Sequence, residues 1–329
     1  MVPTSSEDSP DEDGDRSAEN RRAILNPTSG RADHVERVRD LAAERGFDVV
    51  ETERAGHAIE LAERAAADGV DLLAVCGGDG TLHEVVEGLY GADALDAVTL
   101  SVIPSGTENI VAEHLGVQSL VDGFDLAETG ETRRIDLGVA GDEPFVMSAI
   151  AGLPAEASAA ATHDLKRRFG SLAFVIGGVQ ETLAFDGLRV AVEADADDAA
   201  LEESTVENAT GDDGITWRGE ALTVLVGNLR EFGSEGAPAD AEDGLLDVTI
   251  GERMPPSDAV AETVAQRLLG QDTEHVTTLK ASAIEFEHLG GDPVTFSLDG
   301  EIRRFDTVAF SVVPGALRVR VGEEYGQTG

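Results

Sequence analysis

Between Arg21 and Glu113 the hydrophobic positions alternate between two kinds of spacing. Short apolar runs at Ala23–Leu25, Phe47–Val50, Val70–Cys76 and Ala97–Ile103 are bounded by turn residues and are too short for helices, so they predict buried strands. Between them the spacing lengthens. Val35, Val38, Leu41 and Ala42 mark one helix, which Gly46 stops. His57 to Ala67 marks a second, ending near Gly69. Leu82, Val85, Val86 and Leu89 fall at i, i+3, i+4 and i+7, the apolar stripe of a helix facing a core. A fourth helix is predicted from Glu108 to Leu115, closed by Gly116. Repeated strand–helix units predict a mostly parallel sheet covered by helices, with ligands bound beyond the carboxyl ends of its strands.

After about Arg134 the pattern changes. Ile135–Val139, Phe145–Ile150, Leu188–Val192, Ala221–Val226, Leu246–Ile250, Ala283–Phe286, Val294–Leu298 and Thr307–Val312 read as strands, and Leu317–Val321 as the last. Helical stretches at Leu172–Leu183 and Ser257–Leu269 interrupt them, and Glu193–Glu220 reads as a long acidic hairpin. The predicted organisation is α/β plus mainly-β. An acidic, disordered tail covers 1–20, an α/β domain with a parallel sheet covers 21–134, and a β-sandwich-like domain covers 135–329.

The candidate chemistry lies in three strand-to-helix turns: Asn26-Pro27-Thr28-Ser29-Gly30, Gly77-Gly78-Asp79-Gly80-Thr81, and Pro104-Ser105-Gly106-Thr107. Free N–H groups and the positive end of a helix accept phosphate, and glycine lets the backbone approach it. Asp79 is the odd member, a carboxylate where anions bind; a divalent cation or an acceptor hydroxyl between them accounts for it. A plain Gly-Gly-Asp-Gly turn is the competing reading. Asp299-Gly300 and Asp243-Gly244 are likewise ordinary turn formers. The seven histidines show no metal-ligand spacing and read as surface or packing residues.

Charge changes the picture of the solvent more than of the fold. The formal net charge is −41, from 65 acidic and 24 basic residues. Only Lys166 and Lys280 are lysines, which leaves 22 arginines among the 24. Self-repulsion of this size is screened at molar salt, where the Debye length is roughly 3 Å. The acids are spread along the chain, which points to a salt-rich cytoplasm rather than to a basic partner. With no basic patch, nucleic-acid binding is excluded as an expectation. One cysteine, Cys76, excludes an internal disulfide framework. No apolar run is long enough to span a bilayer, and neither a signal peptide nor a C-terminal anchor is expected.

In order and spacing these turns, with Glu108-Asn109, Val226-Gly227-Asn228, Asp243-Gly244-Leu245-Leu246-Asp247 and Asp299-Gly300-Glu301, resemble the soluble diacylglycerol kinase catalytic family, which includes sphingosine and ceramide kinases. The resemblance runs from Arg21 to Val321. It implies transfer of the γ-phosphate of ATP to a lipid hydroxyl in a cleft between two domains. By matching positions, Asn26, Pro27, Thr28, Ser29, Gly30, Thr52, Gly77, Gly78, Asp79, Gly80, Thr81, Leu82 and Thr107 hold the nucleotide. Asp299 and Glu301 become candidate bases, with Asp79 a third catalytic candidate. Mg²⁺ is implied at Asp240, Asp243 and Leu245, partly through backbone oxygens, and hard oxygen ligands suit it. Many bacterial relatives carry an arginine after the third loop; here Glu113 stands in that region, and Arg31 follows the first. The implied partners are a lipid at the membrane surface, contacted peripherally from the cytoplasm, and a second copy in a homodimer. Two alternatives stay open: a kinase resembling NAD kinase, and a nucleotide-binding protein without catalysis. CTP remains open beside ATP.

Overall fold

The first half folds as a sheet whose strands are apolar on both faces. A computed structural model of the chain describes residues 20–30, 34–152, 187–195, 215–229, 240–252 and 276–326. Strands β1 (Arg21–Leu25), β2 (Asp48–Glu51), β3 (Leu72–Gly77) and β4 (Thr99–Pro104) run parallel in the order β4-β3-β1-β2. All of β3 is buried, and its side chains alternate between two cores. Leu73 and Val75 pack with Leu61 of α2 (His57–Ala67) and Val85 of α3 (Asp79–Gly91). Leu72, Ala74 and Cys76 pack with Leu41 of α1 (Val35–Glu44) and Phe124 of α5 (Leu120–Thr129). The period of two places alternate residues on opposite faces, and helices cover both.

The second half supplies β5 (Glu131–Ala140), β6 (Glu143–Phe145), β7 (Ser148–Gly152), β8 (Leu188–Asp195), β9 (Ile215–Gly227), β10 (Leu246–Glu252), β11 (Val276–Ala281), β12 (Ala283–His288), β13 (Val294–Leu298), β14 (Glu301–Phe305) and β15 (Thr307–Val321). Its pairings are antiparallel, and its core is built on Phe145, Phe286, Phe296 and Phe310. Phe286 and Phe296 meet edge to face at 5.0 Å, a favoured aromatic geometry. The mixed architecture thus agrees with the predicted α/β plus mainly-β class.

β15 joins the halves. Its first part pairs antiparallel with β12, its last part pairs parallel with β4 at Arg318 and Val319, and β5 runs antiparallel along it. Between Val313 and Leu317 the register shifts, at Pro314-Gly315. Asp136 of β5, 1% exposed, holds that irregularity. Its carboxylate accepts from the Gly315 and Gly244 amides, each at 2.7 Å. Burial pushes the Asp136 carboxyl above its ordinary range.

Several predicted elements differ in detail. The expected strands 307–312 and 317–321 are one strand, and the latter segment belongs to the sheet of the first half. The fourth helix, α4, is confined to Ile110–His114, while α5 and β11 are additional. The described ends of the expected hairpin 193–220 are antiparallel strands, β8 pairing with β9 as in Glu193 with Thr216, while 196–214 lie outside the described residues. Of the expected tail 1–20, Asn20 is ordered, its amide donating to Asp71 Oδ2 at 2.9 Å, and residues 1–19, with the helices 172–183 and 257–269, lie outside the described residues.

Candidate active site

The three turns meet at one rim because β1, β3 and β4 are adjacent in the sheet. Asn26 organises the first. Its side-chain oxygen accepts from the Thr28 amide at 3.0 Å and hydroxyl at 2.9 Å, and its side-chain amide donates to Thr81 Oγ1 at 3.0 Å. The Ser29 and Ser105 hydroxyls lie 3.2 Å apart and link the first turn to the third. His34, buried, sets its Nε2 3.2 Å from both Ser29 Oγ and the Asn26 carbonyl. The Ser105 amide donates to the Gly77 carbonyl at 3.0 Å. Gly78 and Gly106 lie backbone to backbone: a Cβ on Gly106 would come within 2.4 Å of Gly78 Cα. Only glycine permits that approach.

Asp79 opens α3, but its carboxylate turns to the third loop. Its two oxygens accept from the Ile110 and Val111 amides, both at 3.1 Å. Burial raises its pKa, and the charges of Asp299 and Glu108 act in the same direction. Beside the expected role toward a cation or an acceptor hydroxyl, Asp79 is thus a clasp between the second and third turns. Gly80, on the exposed side of the same turn, has open space where a Cβ would stand. Of the other nucleotide candidates, Thr28 and Thr107 are exposed, Pro27 and Thr52 half-buried, and Leu82 buried in the core beneath α3. The Thr52 amide donates to the Leu25 carbonyl at 2.9 Å, which aligns the end of β2 with the same rim.

The acidic hairpin enters from the second half. Asp299 and Gly300 form a two-residue turn between Leu298 and Glu301, with φ of 49° and 100°. Positive φ at both central residues is the signature of a type I′ hairpin, which suits the twist of the strands. The expected turn and the expected site residue are thus one feature. The Asp299 side chain is 2% exposed. Its carboxylate accepts from the Val146, Met147 and Ser148 amides at 2.6, 2.9 and 2.9 Å. Its Oδ2 also lies 3.2 Å from Nδ1 of His83 on α3. Glu301 is exposed at the start of β14. Asp299 and Glu301 therefore do not present equivalent carboxylates to one cleft: the first is consumed by backbone donors, and the second faces solvent.

Residues 21–140 match the model of the diacylglycerol kinase catalytic domain, and 147–321 match that of the YegS C-terminal NAD kinase beta sandwich-like domain. The chain belongs to the diacylglycerol kinase family. It is 32% identical over 277 residues to a probable lipid kinase YegS-like of Pseudomonas fluorescens, covering 83% of this chain and 85% of that one. A diacylglycerol kinase of Bacillus subtilis is 28% identical over 291 residues, covering 85% and 89%. A solved structure of a putative diacylglycerol kinase from Bacillus anthracis superposes with a TM-score of 0.73 at 21% identity, covering 93% of this chain and 96% of that one. The last likeness shows the shared fold.

This diacylglycerol kinase family member is an ATP-dependent kinase, and two of its features depart from the sequence reading. First, the loop expected to hold Mg²⁺ carries an ion pair that the sequence reading did not include. Asp243 accepts from the Leu245 amide at 2.9 Å and pairs with the Lys280 ammonium at 3.0 Å, while Asp240 accepts from the Glu242 amide at 3.1 Å. Lys280 thus supplies a positive charge at the Asp243 carboxylate. Among the described residues no group of three or more His, Cys, Asp or Glu side chains is placed to bind a metal. Second, His83, read as packing, touches the acidic hairpin. Ser105 and Asn109, named in the sequence only as members of motifs, and His34, read as surface or packing, also order the rim. Asn109 does so by accepting the Gly106 amide at 2.8 Å. Arg31 lies outside the described residues.

Proposed function

We propose that this kinase transfers the γ-phosphate of ATP to the hydroxyl of a diacylglycerol-like lipid, ester- or ether-linked, or of a sphingoid lipid. The observation that carries the reading is the pairing of a three-turn phosphate rim with an acidic hairpin that reaches α3 from the other half of the chain. The names of the relatives agree with a lipid acceptor. On this reading residues 21–134 hold the nucleotide and most of 135–329 forms the acceptor side, at a membrane surface and in a homodimer where two copies meet.

The α3 N-terminus and the amides of the glycine turns receive the phosphates, whose developing charge is the principal thing a phosphoryl-transfer enzyme stabilises. Mg²⁺, bound with the triphosphate, would supply further charge neutralisation. Glu301 takes the acceptor proton, because Asp299 has its lone pairs engaged by backbone amides. A base must come within roughly 3 Å of that hydroxyl, directly or through one water.

The test is labelled ATP with a total lipid extract in one arm and NAD in the other. A labelled lipid is the expected product. Labelled NADP alone would replace the lipid reading with that of an NAD kinase, which the description of the second matching domain keeps in view. Glu301→Gln is expected to bind ATP as the parent does and lose about 10²–10⁴-fold in turnover, the usual contribution of a general base. Parent turnover in that variant excludes Glu301 as the base.

A further inference from the structure

We propose that His83 is a positioning residue for phosphoryl transfer, which through Asp299 fixes the hairpin carrying Glu301 against the helix that forms the phosphate turn. The inference rests on the kinase reading above, but not on which acceptor is used.

Its basis is a chain of contacts with one end in each half. His83 lies four residues after Asp79, one helical turn along the same side of α3. Asp79 clasps the third phosphate turn, and His83 meets Asp299 at 3.2 Å across 216 residues of sequence. The other donors to Asp299 are the amides of Val146, Met147 and Ser148, all in the second half. Three amides already satisfy a buried carboxylate. What His83 adds is a link to α3.

That link is poorly suited to a purely packing role. His83 is 3% exposed, and its Nε2 has no hydrogen-bond partner, the nearest carboxylate oxygen being that of Glu87 at 3.8 Å. An apolar side chain would fill the space without leaving a buried polar atom unmatched. The surroundings select a cation or a donor. Glu87 faces His83 from its own helix, and Asp299 and Glu301 from the hairpin. Arg303 of β14 reaches Glu87 at 3.9 Å and Glu143 of β6 at 3.2 Å. The donor therefore sits where the acidic hairpin meets the nucleotide half.

The consequence is geometric. Leu298 and Glu301 are cross-strand partners closing the turn. A shift of the Asp299 carboxylate therefore carries Glu301 with it. Misplacing a reacting group by about 1 Å costs on the order of 10²-fold in rate. Loss of the link should then appear in turnover and not in nucleotide affinity.

The experiment compares the parent with His83→Ala, His83→Asn and Asp299→Asn. Nucleotide binding is followed by calorimetry, and kcat and KM with diacylglycerol in micelles, sphingosine or NAD, whichever the parent phosphorylates. Expected for His83→Ala is an ATP Kd within about threefold of the parent and a kcat lower by about 10–100-fold. His83→Asn places an amide donor at the Nδ1 position and should recover most of kcat; it also serves if the alanine variant fails to fold. The His83→Ala/Asp299→Asn double variant should be no slower than the slower single variant. Parent kcat in His83→Ala, or a loss in His83→Asn as deep as in His83→Ala, overturns the positioning role. A parent that phosphorylates NAD but neither lipid overturns the lipid reading alone, and one that phosphorylates none of the three overturns both.

Discussion

At the residue scale, Asp79, Asp136 and His83 share one sign of response to pH. Burial raises Asp79 and Asp136. For His83 burial acts downward, but the Asp299 carboxylate, with Glu87 and Glu301 behind it, prevails and raises the imidazole. A group whose folded pKa lies above its unfolded value contributes stability that is complete below the unfolded pKa and lost as pH rises through the folded one. For His83 that window opens near the ordinary histidine value of about 6.5. Glu242 acts oppositely: Arg133, at 2.6 Å, lowers it, so its contribution is lost as pH falls through the folded value. Urea melts should therefore show stability falling above neutrality in the parent and falling less in His83→Asn. Identical alkaline limbs would remove His83 from the linkage.

Asp79 makes a second case. Replacing it by Asn puts an N–H₂ group where one of two backbone amides needs an acceptor. An unmatched buried donor costs about 1–3 kcal/mol. Asp79→Asn should lower the urea midpoint as well as weaken ATP binding, whereas a purely catalytic aspartate would leave the midpoint unchanged. The role of Asp79 was not legible in the sequence, because the amides of Ile110 and Val111 that it binds lie in another loop. His83 was missed for the same reason in a stronger form: nothing local marks a histidine whose partner is 216 residues away.

At the element scale, the strand–helix alternation of the first half was legible as far as α4, since both periodicities are local, while α5 was missed. So was the convergence of the turns, which follows from the rule that parallel strands present their carboxyl ends together. What escaped was pairing between distant segments. β15 looked like two strands because Pro314-Gly315 interrupts its pattern, and only the partners β12, β5 and β4 make it one. The contact of Gly78 with Gly106 gives this scale its prediction. Gly106→Ala places a methyl 2.4 Å from Gly78 Cα and 2.9 Å from the Glu108 carbonyl, so the two turns must part. Calorimetry should show ATP binding lost while circular dichroism shows the sheet retained. Retained affinity would mean that the rim tolerates separation of its turns.

For the whole molecule, a net charge of −41 on 329 residues acts on every element at once. The short-range pairs seen here, such as Arg45 with Asp125 and Arg39 with Glu51, engage arginines against a large excess of acids. Exposed pairs of this kind contribute little each, so the long-range repulsion remains. Melting temperature should therefore rise steadily with KCl toward molar concentrations, where screening reaches about 3 Å. A melting temperature indifferent to salt from low concentration upward would show that the charges are balanced locally. Among the described residues no helix is long and apolar enough to cross a membrane.

The shared strand has a bearing on how the protein is made. Synthesis delivers β1 to β4 well before the end of β15. The edge of β4 at Thr99 and Leu100, which Arg318 and Val319 cover, therefore stays open while the intervening strands emerge. An open strand edge is a template for wrong partners, and pairings between distant segments form late. The first half cannot close its sheet until β15 has been made, so the two halves share one late folding step.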